Sequence, residues 1–214
     1  MDVGKNTTTS LNFILNKYNV EIKAEIELYC SRRITFPKLF RELGFKIGVE
    51  VGVAGGKMSK FICKLCPDIK LYSVDAWAMF PDATGYTQEK MDKLYEKTKA
   101  KLSCFSNNQI IRAWSMDAVK QFEDDSLDFV YIDAAHDYKN VYQDIREWSK
   151  KVREGGLVCG DDYIFPEDLP KDNEAFNNNK YAVKKAVIDW VKVNKIKPLF
   201  ILTKGMIPNW FYIK

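Results

Sequence analysis

Hydrophobic residues along this chain recur at two spacings, and the alternation between them lays out the fold. Short apolar runs at "KIGVEV" (46–51), "KLYSVD" (70–75), "QIIRA" (109–113), "LDFVYID" (127–133) and "GLVCG" (156–160) predict five buried strands. Helical stripes lie between and after them. Met91, Leu94, Tyr95, Thr98 and Leu102 form one; Val141, Ile145, Trp148 and Val152 a second; Val183, Val187 and Trp190 a third. Upstream, Ile22, Ile26 and Tyr29 recur at helical spacing, as do Phe36, Leu39, Phe40 and Leu43 before Gly44. Residues 1–44 therefore read as an N-terminal helical segment and residues 45–214 as the main domain. Strand–helix alternation predicts an α/β architecture, a parallel sheet with helices on both faces. In the tail, "LFILT" (199–203) and "NWFYI" (209–213) are separated only by "KGMIP". That predicts an antiparallel hairpin at one sheet edge.

Composition narrows the function classes. The 214 residues are 46% hydrophobic and 29% charged, which supports a folded core. The net charge is +4, and no run of five or more basic residues occurs, so nucleic acid is not an expected partner. No stretch approaches the ~18–20 apolar residues of a membrane span. "MDVGKNTTTSLNF" lacks a signal-peptide core, and a cytoplasmic location is expected. Five scattered cysteines fit reduced thiols. Cys63 and Cys66 form a CxxC without a second pair to complete a zinc site, and read as two small residues on a helix face.

In open parallel sheets, ligands bind beyond the carboxyl ends of the strands, so the residues after each apolar run carry the chemistry. After the first run, "GVEVGVAGGKMSKF" crowds Glu50, Gly52, Gly55 and Gly56 into one turn. A dinucleotide fingerprint starting at Gly52 fails at Ala54 and Lys57. An acid-x-G-x-(G/A)-x-G pattern fits instead, though a tight packing turn would look similar. Asp75 ends the second run; it is placed either to accept the two ribose hydroxyls of an adenosine or to cap a helix. Ser115, in "RAWSMDAV", is equally suited to cap a helix or to bond an adenine.

The last two runs of the parallel set end in carboxylates: Asp133 after "LDFVYI", and Asp161 and Asp162 after "GLVCG". Three such groups meeting at one rim would repel unless a cation joined them, and oxygen-only ligands favour a hard divalent ion such as Mg²⁺. The alternative for Asp161 and Asp162 is a polar turn. The chain's single histidine, His136, follows Asp133 by three residues. Its ordinary pKa suits a general base near neutral pH, with Asp133 as a second candidate acting through water; a plain loop residue and substrate binding without proton transfer are the other options for the imidazole.

Taken in order, "EVGVAGG", "SVDAW", "DFVYIDAAHDY" and "GGLVCGDDY" resemble a class I S-adenosylmethionine-dependent methyltransferase. The likeness is nearest to the metal-dependent sugar O-methyltransferases of the macrocin O-methyltransferase type. It covers roughly residues 45–214 and implies a Rossmann-like doubly wound sheet. By that resemblance, Glu50, Gly52 and Gly56 would surround the methionine end of the cofactor. Asp75 would hold the ribose, and Ser115 and Met116 would lie beside the adenine. Asp133, Asp161 and Asp162 would bind Mg²⁺ or another divalent cation, and His136 would be the base. The implied partner is a small-molecule hydroxyl acceptor, a sugar or diol. Residues 1–44 match no motif and are open to use as a lid or an oligomer contact. The asparagine-rich segment 166–181 is placed to overhang the site and shape specificity.

Overall fold

A computed structural model describes residues 5–79, 87–168 and 181–214. Its centre is an eight-stranded sheet in the order β1-β7-β8-β6-β5-β2-β3-β4. The five predicted parallel strands are β2 (Ile47–Val51), β3 (Lys70–Asp75), β4 (Asn108–Arg112), β5 (Leu127–Ile132) and β6 (Val152–Gly160). The central strand β5 is buried at every position, which is why its sequence is a continuous apolar run rather than an alternation. Its one acid, Asp128, sits at the far end from the site. There its carboxylate accepts from the backbone N–H groups of Lys46 (2.5 Å) and Ile47 (2.9 Å) and from Arg153 Nε (2.6 Å). The tail forms β7 (Leu199–Leu202) and β8 (Asn209–Ile213), paired antiparallel, with β8 also antiparallel to β6.

Two expectations need correction. The Ile22–Ile26–Tyr29 spacing does not form a helix. Glu25–Leu28 is instead strand β1, parallel to β7, so the hairpin is not the sheet edge. The governing spacing is two, not three to four: Ile26 and Leu28 point inward, whereas Ile22 and Tyr29 are 62% and 79% exposed. Around β1, residues 1–44 supply α1 (Lys5–Tyr18) and α2 (Arg32–Glu42). Both pack on the sheet face that also receives α3 (Lys57–Leu65). On that face Phe40 stacks on Phe129 at 3.7 Å between centroids, and Phe36 meets Tyr131 and Phe211 edge-on. Cys63 and Cys66 are buried there as free thiols.

The opposite face carries α6 (Tyr138–Lys151) and α7 (Val183–Val193), with Val141, Ile145, Trp148 and Val187 in its core. Helix α4 (Gln88–Leu102) covers the turn after β2, where Leu102 packs with Val53 and Trp77. The short helix α5 (Ser115–Ala118) follows β4. All five parallel strands point their carboxyl ends to one rim. Of the segment 166–181, the described parts are a 3-10 turn at Pro166–Asp168 and Tyr181; the rest lies outside the described residues.

Candidate active site

The turn after β2 is held from below by one carboxylate. Asp75 Oδ2 accepts from the backbone N–H groups of Val53 (2.9 Å) and Ala54 (2.8 Å), and Oδ1 accepts from that of Trp77 (2.7 Å). Ala54 and Trp77 both have left-handed backbone, at φ 45° and 39°, a conformation that costs a side-chain-bearing residue ~1–3 kcal/mol. Charge-assisted hydrogen bonds to Asp75 offset that strain. Trp77 Nε1 and Thr98 Oγ1 donate to Ala54 O at 3.0 and 2.8 Å, fixing the turn from above. Gly52, at φ 88°, cannot be anything larger: a Cβ there would lie 2.0 Å from Asp133 O. The glycine turn is therefore pressed directly against the acidic end of β5.

Glu50 lies beneath this turn, 2% exposed, and its carboxylate accepts from Ser59 Oγ. Burial, reinforced by the charges of Asp133 and Asp75, pushes its pKa up to about 8 despite the Ser59 bond. Gly56, also left-handed, is the N-cap of α3. Ser115 caps nothing with its side chain. Its hydroxyl donates to Asp144 Oδ1 (2.5 Å) and accepts from Trp148 Nε1 (2.9 Å), so its proton is committed inside the protein. Met116 beside it is half-buried against the core.

At the ends of β5 and β6 the structure joins Asp133, His136 and Asp162. One ligand atom from each lies within 4.8 Å of the others. His136 Nε2 is 3.0 Å from Asp162 Oδ2 and 4.0 Å from Asp133 Oδ1. Burial opposes charge on the imidazole, but the hydrogen bonds and charges of these two acids outweigh it and raise its pKa to about 9. Burial pushes the Asp133 carboxyl up; for Asp162 burial is outweighed by His136, and its carboxyl moves down. Tyr181 stacks on the His136 ring at 5.0 Å.

Asp161 stands outside this group, so the expected trio of aspartates is not assembled in the structure. Asp162 has a left-handed backbone, φ 62°, so the two adjacent side chains leave the strand in different directions. Asp161, 5% exposed, is paired with Arg32 and accepts from Asn209 Nδ2 and from the Asp162 N–H (2.9 Å). Sequence reasoning passed over Arg32 and Asn209, and reached Tyr181 only as the end of the 166–181 segment expected to overhang the site. Of the first two, Arg32 had a signal: "SRR" at a helix start puts basic residues where the helix dipole disfavours them.

A mostly parallel α/β sheet whose glycine turn abuts the carboxyl end of β5 has the form of an open sheet that binds ligands beyond its strand ends. The family described as "Methyltransferase domain" matches residues 49–163, more than half of the chain, and the protein belongs to that family. It is a methyltransferase. No curated protein matches it in sequence. Among solved structures, a Staphylococcus aureus protein named as a caffeoyl-CoA O-methyltransferase superposes with a TM-score of 0.64 at 16% identity, over 96% of this chain and 91% of that one. A Bacillus cereus O-methyltransferase in complex with SAH gives 0.63 at 14%, over 99% and 90%. A Podospora anserina methyltransferase bound to SAH gives 0.63 at 13%, over 99% and 87%. These likenesses establish the fold. Among the described residues, no helix is long and apolar enough to cross a membrane.

Proposed function

We propose that this protein transfers a methyl group from S-adenosylmethionine to a hydroxyl oxygen of a small molecule, a sugar or diol, with help from a divalent cation. The observation that carries this reading is the contact between the glycine turn and the Asp133–His136–Asp162 rim, since a donor on the turn and an acceptor at the rim would then be side by side. O-methyltransferases among the structural neighbours support the choice of oxygen.

The residues fit the donor. Glu50, buried with a raised pKa, gains its charge back beside the ammonium of the methionine end. Asp75 keeps lone pairs for ribose hydroxyls while anchoring the turn. Gly52 and Gly56, both with left-handed backbone, shape the turn that would follow the methionine end, and Met116 with Ser115 would border the adenine. S-adenosylmethionine, when bound, supplies an electrophilic methyl on a sulfonium.

The rim also fits a cation. The ligand atoms, within 4.8 Å of one another, stand wider than the ~3 Å edges of a six-coordinate site with bonds of ~2.1 Å, so the side chains would close in on an ion. With His136 in the set, Mn²⁺, Fe²⁺ or Zn²⁺ suits these donors better than Mg²⁺. A divalent ion, when bound, would lower the hydroxyl pKa as a Lewis acid. Asp133 and Asp162 would hold the ion and so orient the acceptor; where His136 is left out of the ligand set, its Nε2 takes the hydroxyl proton, stabilised by Asp162 Oδ2. Alignment of two bound reactants provides up to ~7–11 kcal/mol of the barrier reduction.

One observation favours a second reading, transfer without a metal: Arg32 and protonated His136 already neutralise much of the rim. The test is methyl transfer to a diol panel from labelled S-adenosylmethionine, with and without chelator. The metal-assisted reading expects chelator and Asp133→Asn each to abolish turnover while leaving donor affinity within about threefold. Full turnover in chelator selects the metal-free route; no donor binding at all overturns both.

A further inference from the structure

Resting on the metal-assisted reading, we propose that Arg32 is the rim's resident cation, and that a divalent ion and the α2 helix compete for the Asp161 carboxylate. Arg32 reaches Asp161 from the first turn of α2. That position is costly for the helix. A cation there meets the positive end of the dipole, the first turn contains no acid, and the Ser31 side chain makes no capping bond. The arginine thus serves something outside its own helix, and its partner is the carboxylate adjacent to the ligand cluster. One turn further along, Phe36 packs on Tyr131 and Phe211, so the position of Arg32 is set by the core.

A second observation points to a missing ligand atom at the same place. The Tyr131 hydroxyl is fully buried and has no hydrogen-bond partner among the described residues. Asp133, Arg32 and Glu50 are the charged groups whose fields act on it. A buried hydroxyl left unpaired is destabilising, so a donor or acceptor arriving beside it would complete it. The Arg32 guanidinium holds Asp161 against α2. An ion drawing Asp161 toward Asp133, His136 and Asp162 must displace it. The carboxylate cannot serve both, because Asn209 and the Asp162 N–H already occupy its other oxygen. Arg32 thereby sets the affinity of the cation and couples its arrival to the seating of α2.

The experiment titrates Mn²⁺ alone into the full chain by calorimetry, comparing wild type with Arg32→Gln, Arg32→Lys and Asp133→Asn. Removing the competing charge should tighten Mn²⁺ binding about tenfold or more in Arg32→Gln. Arg32→Lys keeps a cation and should stay near wild type. Asp133→Asn should lose binding. Amide exchange at the start of α2 should speed up on adding Mn²⁺ to wild type and not change in Arg32→Gln. Equal Mn²⁺ affinity in wild type and Arg32→Gln, with binding lost in Asp133→Asn, overturns the competition but leaves the metal site standing. Absence of binding in wild type and Arg32→Gln alike overturns both. Binding by Arg32→Gln alone supports the competition in its strongest form.

Discussion

At the scale of single residues, the site is governed by where a few ionisable groups can keep or lose a proton. Glu50 has its folded pKa raised from 4.5 to about 8 by burial. A carboxyl raised in this way favours the folded state fully below its unfolded pKa, and that contribution is lost as pH climbs through about 8. At pH 7 the loss is on the order of 3 kcal/mol. Glu50→Gln imitates the protonated form and can still accept from Ser59. Denaturant unfolding should find it more stable than wild type at pH 7 and flatter between pH 5 and 8. A wild-type pH dependence retained in the variant would place the titration elsewhere. His136 shifts upward too, to about 9, so at neutral pH it carries the proton it would need to accept. On the metal-free route, turnover in chelator should rise with pH toward 9, and His136→Ala should remove that limb while lowering the rate ~10²–10⁴-fold. The histidine and Asp133 were legible because both sit just past the tip of an apolar run. The split between Asp161 and Asp162 was not, because it depends on one left-handed backbone angle that "GDDY" does not announce.

Among elements, the turn after β2 shows why a short motif carries more than its letters. Its glycines were visible in sequence, and so was the acid at the end of the next strand. The stitching by Asp75 of Val53, Ala54 and Trp77 is a product of parallel pairing, which sets Val51 beside Val74. Asp75 thus has a structural duty beside any contact with ribose. Asp75→Ala should lower the melting temperature by several degrees, since it leaves three N–H groups without their carboxylate. It should also weaken S-adenosylmethionine binding by more than tenfold in a calorimetric titration. A loss of affinity with no loss of stability would assign the carboxylate to the ligand alone. The five parallel strands were readable for the same reason the turn was. Each is centred on a short apolar run and closed by glycine or a polar residue, though β4, NQIIR, has only two apolar residues and no buried position. Strand β1 was hidden by its brevity: four residues, two inward and two outward, flanked by exposed Ile22 and Tyr29 that imitate a helical stripe.

The whole molecule is organised so that its N-terminal elements reach the site through the sheet. Strand β1 completes the sheet beyond β7, Ser10 Oγ donates to Gly155 O at 2.8 Å, and Phe36 and Phe40 belong to the aromatic core under β5. Arg32 is carried to the rim by that same core. A chain beginning at residue 31 would lose Ile14, Ile26 and Leu28 from the interior. Each fully buried side chain of this size contributes ~1.5–3 kcal/mol, so the three together approach the ~5–15 kcal/mol that separates a folded domain from its unfolded state. The truncation would also bare the edge of β7, whose four residues are all buried, as an open template for aggregation. The truncated chain should therefore be insoluble or lack a cooperative melting transition, and should bind no S-adenosylmethionine. If it melts like the full chain and binds the donor with equal affinity, residues 1–30 are an appendage. The reach of Arg32 to Asp161 would then have to be explained by α2 alone.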